Sequence, residues 1–206
     1  MNSTPETTVF IVDDDDDFRD SMQWLLESDG LQVRGFASAE RFLDQYDGQP
    51  GCMLLDVRMP TLSGLALQQI LHERDICLPV IVISGHGDIP MAVTALKNGA
   101  MDFLEKPFDD DSLLHLVRQG LARADEQLQQ GRALQRIRQR HSSLSRREKE
   151  VMALVVVGRP NREIAEELGI SPKTVEVHRS RVMSKMQADS LPELVNMANR
   201  LGEAKS

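Results

Sequence analysis

Only two cysteines, Cys52 and Cys77, occur in 206 residues. Both fall in or just before strand-like runs, so they read as buried packing residues rather than redox groups. No apolar run approaches the ~20 residues that cross a bilayer. The opening stretch MNSTPETT holds neither basic residues nor the apolar centre of a secretory signal. The expectation is therefore a cytoplasmic chain with no membrane partner. The length allows one large domain or two small ones, and an apolar content of 41% can build a core.

Basic residues are scarce in one half only. Residues 1–126 hold 9 Lys/Arg against 23 Asp/Glu, a balance of −14; residues 127–206 hold 15 against 9, a balance of +6. That asymmetry suggests an acidic module joined to one that meets a polyanion.

In the acidic half, short apolar runs alternate with helical patterns. Val9–Val12 ends on Asp13-Asp14, and Phe18, Met22, Leu25 and Leu26 then recur at helical spacing until Gly30. Gln32–Phe36 alternates as a second strand, and Ser38 is placed to cap a short helix. Cys52–Asp56 forms a third strand, after which Pro60 and Gly64 hold the loop out of helix. Pro79–Ile83, reaching Ser84, is the fourth strand, and Pro90 fits the first turn of the next helix. Ala100–Leu104 is the fifth, followed by Lys106-Pro107. Five strand–helix repeats predict a parallel α/β sheet of flavodoxin-like order 2-1-3-4-5, with its switch point between strands one and three. Asp13, Asp14, Asp56, Ser84 and Lys106 then converge on one crevice.

Three close carboxylates repel one another, and Mg²⁺ relieves that with one or two carboxylates plus water and phosphate oxygens. A carboxylate beside Mg²⁺ can attack phosphorus and form an acyl phosphate. Lys106 would balance phosphoryl charge, and Ser84 could donate a hydrogen bond. An EF-hand reading of Asp13, Asp15 and Asp17 fails, because Phe18 stands where that loop needs Gly and Trp24 where it needs Glu. Asp15–Asp17 fit the first turn of a helix instead. His86, in the loop Gly85-His86-Gly87, reads as incidental rather than as a catalytic base.

Asp13-Asp14, DVRMP around Asp56, Ser84-Gly85 and Lys106-Pro107 resemble the receiver domain of two-component response regulators over roughly residues 6–125. The resemblance implies that Asp56 is the phosphoacceptor for a sensor histidine kinase. It also implies that Asp13, Asp14, Asp56 and the backbone carbonyl of Arg58 hold Mg²⁺. Ser84 and Phe103 would be the switch pair, with Phe103 standing where many receivers have Tyr, and the Lys106–Pro107 bond would be cis.

From Asp109 to about Arg140 no proline interrupts a helical pattern. Its apolar face starts with Leu113, Leu114, Val117 and Leu121, while Gly120 and Gly131 weaken it by up to about 1 kcal/mol each relative to Ala. Beyond it the chain reads as all helical. Ser145 with Glu148, and Ser190 with Glu193, form capping-box patterns. Gly169-Ile170-Ser171-Pro172 joins two short helices as a helix-turn-helix. The second of these presents Lys173, Thr174, Glu176, Val177, His178, Arg179, Ser180, Arg181 and Lys185 as candidate DNA contacts, with Lys and Arg on phosphates. SRREKEVM and NREIAEELGISPKTVEVHRSRVMSKM resemble the LuxR-type helix-turn-helix of NarL/FixJ regulators, Glu176 suiting the FixJ-like branch. That resemblance implies base contacts near Glu176, Val177 and Ser180.

The expected plan is a receiver at 1–125, a helical linker at 126–142 and a separate all-α DNA-binding domain at 143–206. The expected partners are a sensor kinase, double-stranded promoter DNA, RNA polymerase and a second copy of the chain on phosphorylation. The patch around Met91, Val93 and Phe103 is a candidate dimer face. The competing reading is a Mg²⁺-dependent aspartyl-phosphate phosphatase fused to a DNA-binding module. Asp56-Val57-Arg58 lacks the second acid which that enzyme would need, so phosphoacceptor chemistry without enzymatic turnover is preferred.

Overall fold

A computed structural model describes residues 7–85 and 89–202; His86 therefore lies outside the described residues. The chain divides into two compact units, Met1–Leu128 and Gln129–Ser206.

In the first unit, β1 (Thr8–Val12), β2 (Gln32–Phe36), β3 (Gly51–Asp56), β4 (Val80–Ser84) and β5 (Asp102–Glu105) form one sheet of order β2-β1-β3-β4-β5. Every neighbouring pair is parallel. The helices between them are α1 (Asp16–Ser28), α2 (Ala39–Gln45), α3 (Gly64–Glu73) and α4 (Ile89–Lys97). Successive residues of a strand point to opposite faces, and this splits the core in two. Phe10, Val12, Met53, Leu55 and Val82 meet Phe42 of α2, Leu67 and Leu71 of α3 and Ala95 of α4. Val9, Ile11, Cys52, Leu54, Ile81 and Ile83 meet Met22 and Leu26 of α1 and Leu113 and Val117 of the helix after β5. With both faces covered, the central strands are apolar throughout, which is why they read as continuous runs.

That last helix, α5 (Asp110–Ser142), runs 33 residues without a break and passes from the first unit into the second. Gly120 and Gly131 play different parts in it. A Cβ on Gly120 would lie 2.9 Å from Cys52 Cβ and 3.3 Å from its Sγ, whereas one on Gly131 would meet nothing within 4 Å. Gly120 thus lets α5 approach β3.

The second unit holds α6 (Arg146–Val156), α7 (Asn161–Leu168), α8 (Pro172–Met186) and α9 (Leu191–Leu201). Their core joins Val151, Met152 and Val155 to Ile164, Val175, Val182, Met186 and Leu194, with Ile137 and Leu144 beside them. The Ser145–Glu148 capping box is complete.

Several expectations need correction. β5 begins two residues later than expected and reaches Glu105, with the Met101 amide bonded to the Val80 carbonyl just before it. Cys77 is exposed rather than buried, while Cys52 is buried, and burial pushes its thiol up to about 12. The loop through Ser63 stays out of helix as expected, and Gly64 itself is the first residue of α3, where a Cβ would lie 2.1 Å from the Asp56 carbonyl oxygen. The second capping box is only half made. Ser190 accepts from the Glu193 amide, but the Glu193 carboxylate accepts from Asp189 N, at 2.9 Å.

Candidate functional site

The carboxyl ends of β1, β3, β4 and β5 carry the chemistry-bearing residues, as expected for an open parallel sheet. Asp13 follows β1 and is 2% exposed. Its Oδ1 accepts from the Asp15 amide at 2.9 Å, and its Oδ2 accepts from Lys106 Nζ at 2.9 Å. Arg19, one turn into α1, donates to the Asp13 carbonyl at 2.8 Å and pairs with Asp16. Asp56 closes β3, 8% exposed. One of its oxygens accepts from the Arg58 amide at 2.7 Å, and the other lies 3.5 Å from Lys106 Nζ. The loop back to α3 passes close over Asp56, which the bare Gly64 allows.

Burial pushes the Asp56 carboxyl above the usual carboxylate range, and the neighbouring Asp13 adds to the rise. Lys106 and the Arg58 amide pull the other way. The Lys106 ammonium is thus the centre of the constellation, held between two carboxylates from two adjacent strands. The Lys106–Pro107 bond is cis, and the Lys106 amide bonds back to the Ser84 carbonyl at 2.9 Å.

The remaining candidates divide. Ser84 is buried, and its hydroxyl lies 3.8 Å from Met91 Sδ. Phe103 sits beside Val82 in the sheet and packs, half-buried, on the α2–α4 face of the core with Met91. Asp14 is exposed. Among the described residues, no group of three His, Cys, Asp or Glu side chains is arranged to hold a metal; Asp13 and Asp56 converge without Asp14. Sequence reading missed one neighbour of the site. Phe18, counted there as part of the α1 apolar face, lays its ring under Lys106, with Nζ 3.5 Å from the ring centroid. Its position one turn past Asp14 was the available signal.

In the second unit, Gly169 ends α7 with φ 64°, and Ser171 caps α8 with Pro172 in its first turn. Val175, Val182 and Met186 bury one side of α8. Lys173, Glu176, Val177, Ser180 and Arg181 lie exposed on the other. Lys173 Nζ and Glu176 Oε2 pair at 3.0 Å across one helical turn. Other members of the predicted face are already engaged. Thr174 shares a 2.8 Å hydrogen bond with Ser171, and Arg179 donates to Asn161 at 2.8 Å. Half-buried His178 has a buried Nδ1 with no hydrogen-bond partner. Lys185 Nζ lies 2.6 Å from the buried Glu148 carboxylate and donates to the Ser143 carbonyl at 3.3 Å. Its charge therefore braces α6 against α8.

A doubly wound sheet with a lysine bridging two strand-end aspartates thus stands in one chain with a helix-turn-helix unit. Comparison with known proteins agrees. The response regulator receiver domain family matches residues 9–118, and the LuxR family of bacterial regulatory proteins matches residues 142–198. The chain is 51% identical to the transcriptional regulatory protein FixJ of Azorhizobium caulinodans over 199 residues, covering 95% of this chain and 93% of that one. It is 43% identical to the response regulator protein TmoT of Ectopseudomonas mendocina, covering 97% and 91%. Among solved structures it resembles the response regulator StyR, with a TM-score of 0.84 and 42% identity over 95% of this chain and 99% of that one. The chain belongs to the response regulators that join a receiver domain to a LuxR-type helix-turn-helix domain. Among the described residues no helix is long and apolar enough to cross a membrane.

Proposed function

We propose that this response regulator accepts a phosphoryl group on Asp56 from a sensor histidine kinase in the cytoplasm. It then dimerises and binds promoter DNA, where it works with RNA polymerase to activate transcription. The observation that carries the reading is the bridge from Lys106 to Asp13 and Asp56. An ammonium beside a buried carboxylate keeps that carboxylate ionised for attack and then faces the phosphoryl oxygens. The Arg58 amide fixes one Asp56 oxygen, leaving the other toward Lys106. The Arg58 carbonyl would serve the cation.

The residues fit Mg²⁺. The buried Asp56 carboxylate is costly to ionise beside Asp13, which a hard cation relieves, and Mg²⁺ characteristically takes one or two carboxylates plus water. Asp13, Asp14, Asp56 and the Arg58 carbonyl would hold it, with Asp14 reaching in from its exposed position. The cation supplies charge neutralisation for the incoming phosphoryl group. Ser84 and Phe103 would pass the change to α4, whose exposed Ile89, Val93 and Leu96 recur on one helical face. That face suits the dimer; of the expected patch Val93 lies on it, whereas Met91 and Phe103 pack against the core. We place the receiver at 1–125, the linker at 126–142 and the DNA-binding domain at 143–206. In the last of these, Lys173 and Arg179 approach phosphates while Glu176, Val177 and Ser180 face base edges.

Incubation with acetyl phosphate and Mg²⁺ should give acid-labile, hydroxylamine-sensitive label on wild type and none on Asp56→Asn. A labelled Asp56→Asn protein would move the phosphoacceptor elsewhere.

A further inference from the structure

Phe18 lies outside everything assigned above, and its geometry is specific. The Lys106 ammonium stands 3.5 Å from the Phe18 ring centroid, well inside the ~6 Å reach of a cation–π contact. The ring is itself braced edge-on by Phe108, with centroids 6.2 Å apart and planes at 87°. Phe108 follows the cis Lys106–Pro107 bond, so the segment that carries the lysine also fixes the ring beneath it. Three groups therefore locate Nζ: Asp13 at 2.9 Å, Asp56 at 3.5 Å and the face of Phe18.

The three differ in what phosphorylation does to them. A cation at the strand ends competes for the Asp13 oxygen that Lys106 now holds. A phosphoryl group on Asp56 replaces the carboxylate charge that Lys106 now faces. The ring of Phe18 is neutral and keeps its attraction for an ammonium through both changes. We propose that Phe18 is a positioning residue for the phosphoryl-transfer site, holding the Lys106 ammonium beside Asp56 when Asp13 is given up to the cation. The proposal rests on the reading of Asp56 as phosphoacceptor.

The test uses the full chain with Phe18 replaced by leucine and, by nonsense suppression, by mono-, di- and trifluorophenylalanine. The fluorinated rings keep the shape and withdraw charge stepwise from the face. Two measurements are made: the rate of Asp56 labelling by acetyl phosphate with Mg²⁺, and the ring-current shift of the Lys106 ε-methylene protons without either. Wild type should show strongly upfield ε-protons, which Phe18→Leu returns to ordinary lysine positions. Labelling should fall about three- to tenfold in Phe18→Leu and stepwise along the fluorinated series, as expected for a contact of this class. Equal rates across the fluorinated series would overturn the proposal while leaving Asp56 in its role. Ordinary ε-proton positions in wild type would overturn it too. A wild type that accepts no label from either acetyl phosphate or phosphoramidate, yet shows the upfield shift, would remove the Asp56 reading and with it any positioning role.

Discussion

Asp56 is a carboxylate that folding makes harder to ionise. Burial and Asp13 push it above its ordinary value, against Lys106 and the Arg58 amide. Such a group binds protons more readily folded than unfolded, so wild-type stability declines as pH rises through that interval, and the penalty persists at neutral pH. Asp56→Asn removes the penalty. The variant is expected to have a higher denaturant midpoint than wild type at pH 7 without Mg²⁺. The gap should close below the ordinary carboxylate value of 3.8, where Asp56 is neutral in both states. A variant less stable than wild type at pH 7 would mean that the ion pair with Lys106 outweighs desolvation. On α8, Lys173 and Glu176 neutralise each other at 3.0 Å, an exposed pair worth under about 1 kcal/mol. Glu176→Ala frees Lys173 and is expected to raise nonspecific DNA affinity while relaxing one base position of each half-site by roughly 1–3 kcal/mol. Binding to a panel of single-base operator variants at fixed salt reads both effects, and uniform weakening would take Glu176 out of the base-reading set.

Two glycines on one helix make the element-scale argument. Sequence alone assigns Gly120 and Gly131 the same propensity cost. The structure separates them, because only Gly120 faces Cys52. Gly131→Ala is expected to stabilise α5 by up to about 1 kcal/mol, whereas Gly120→Ala should destabilise, since backbone-bearing α5 would have to move off β3. Thermal unfolding of the two variants checks the opposite signs. In α6, Glu148 is held by Lys185 first and by the Ser145 amide next, which keeps its carboxyl below the usual range. Its stabilising contribution is present above the ordinary value of 4.5 and is lost as pH falls through the lower folded value. Glu148→Ala breaks both the cap and the brace, and a cost of about 2–3 kcal/mol at pH 7 is expected in urea titrations.

These cases show what a single sequence makes legible. Strand order, the cap at Ser38, the turn at Gly169 and the strand-end location of Asp13, Asp56, Ser84 and Lys106 follow from local patterns: apolar runs, caps, and the rule that parallel sheets expose their carboxyl ends. The hidden features depend on partners distant in sequence. Gly120 needs Cys52, Lys185 needs Glu148, and Lys106 needs Phe18. Periodicity placed Phe18 on the apolar face of α1 and Lys185 on the outward face of α8 as a candidate DNA contact, because it records what a residue is, not what the fold brings against it.

Across the whole molecule, charge divides into −14 over residues 1–126 and +6 over residues 127–206. Phosphorylation adds negative charge to a half that already carries −14, so simple electrostatics predicts weaker binding when Asp56 is phosphorylated. Dimerisation predicts the reverse. Two linked helix-turn-helix units bind the second half-site intramolecularly, and avidity of this kind commonly reaches 10²–10⁴. The two effects differ in size: one added phosphoryl charge is screened over a Debye length of about 8 Å at physiological salt, whereas pairing doubles the phosphate contacts. The expected outcome is a rise of at least about tenfold in operator affinity with phosphodonor and Mg²⁺, with protection extending over two half-sites. The dependence of log K on log salt should also steepen, as twice the phosphate contacts are made. Asp56→Asn should stay at the unphosphorylated level under all conditions. Footprinting across a salt series reads these together. A phosphorylated protein that binds one half-site with an unchanged salt slope would show that phosphorylation does not act through pairing on DNA.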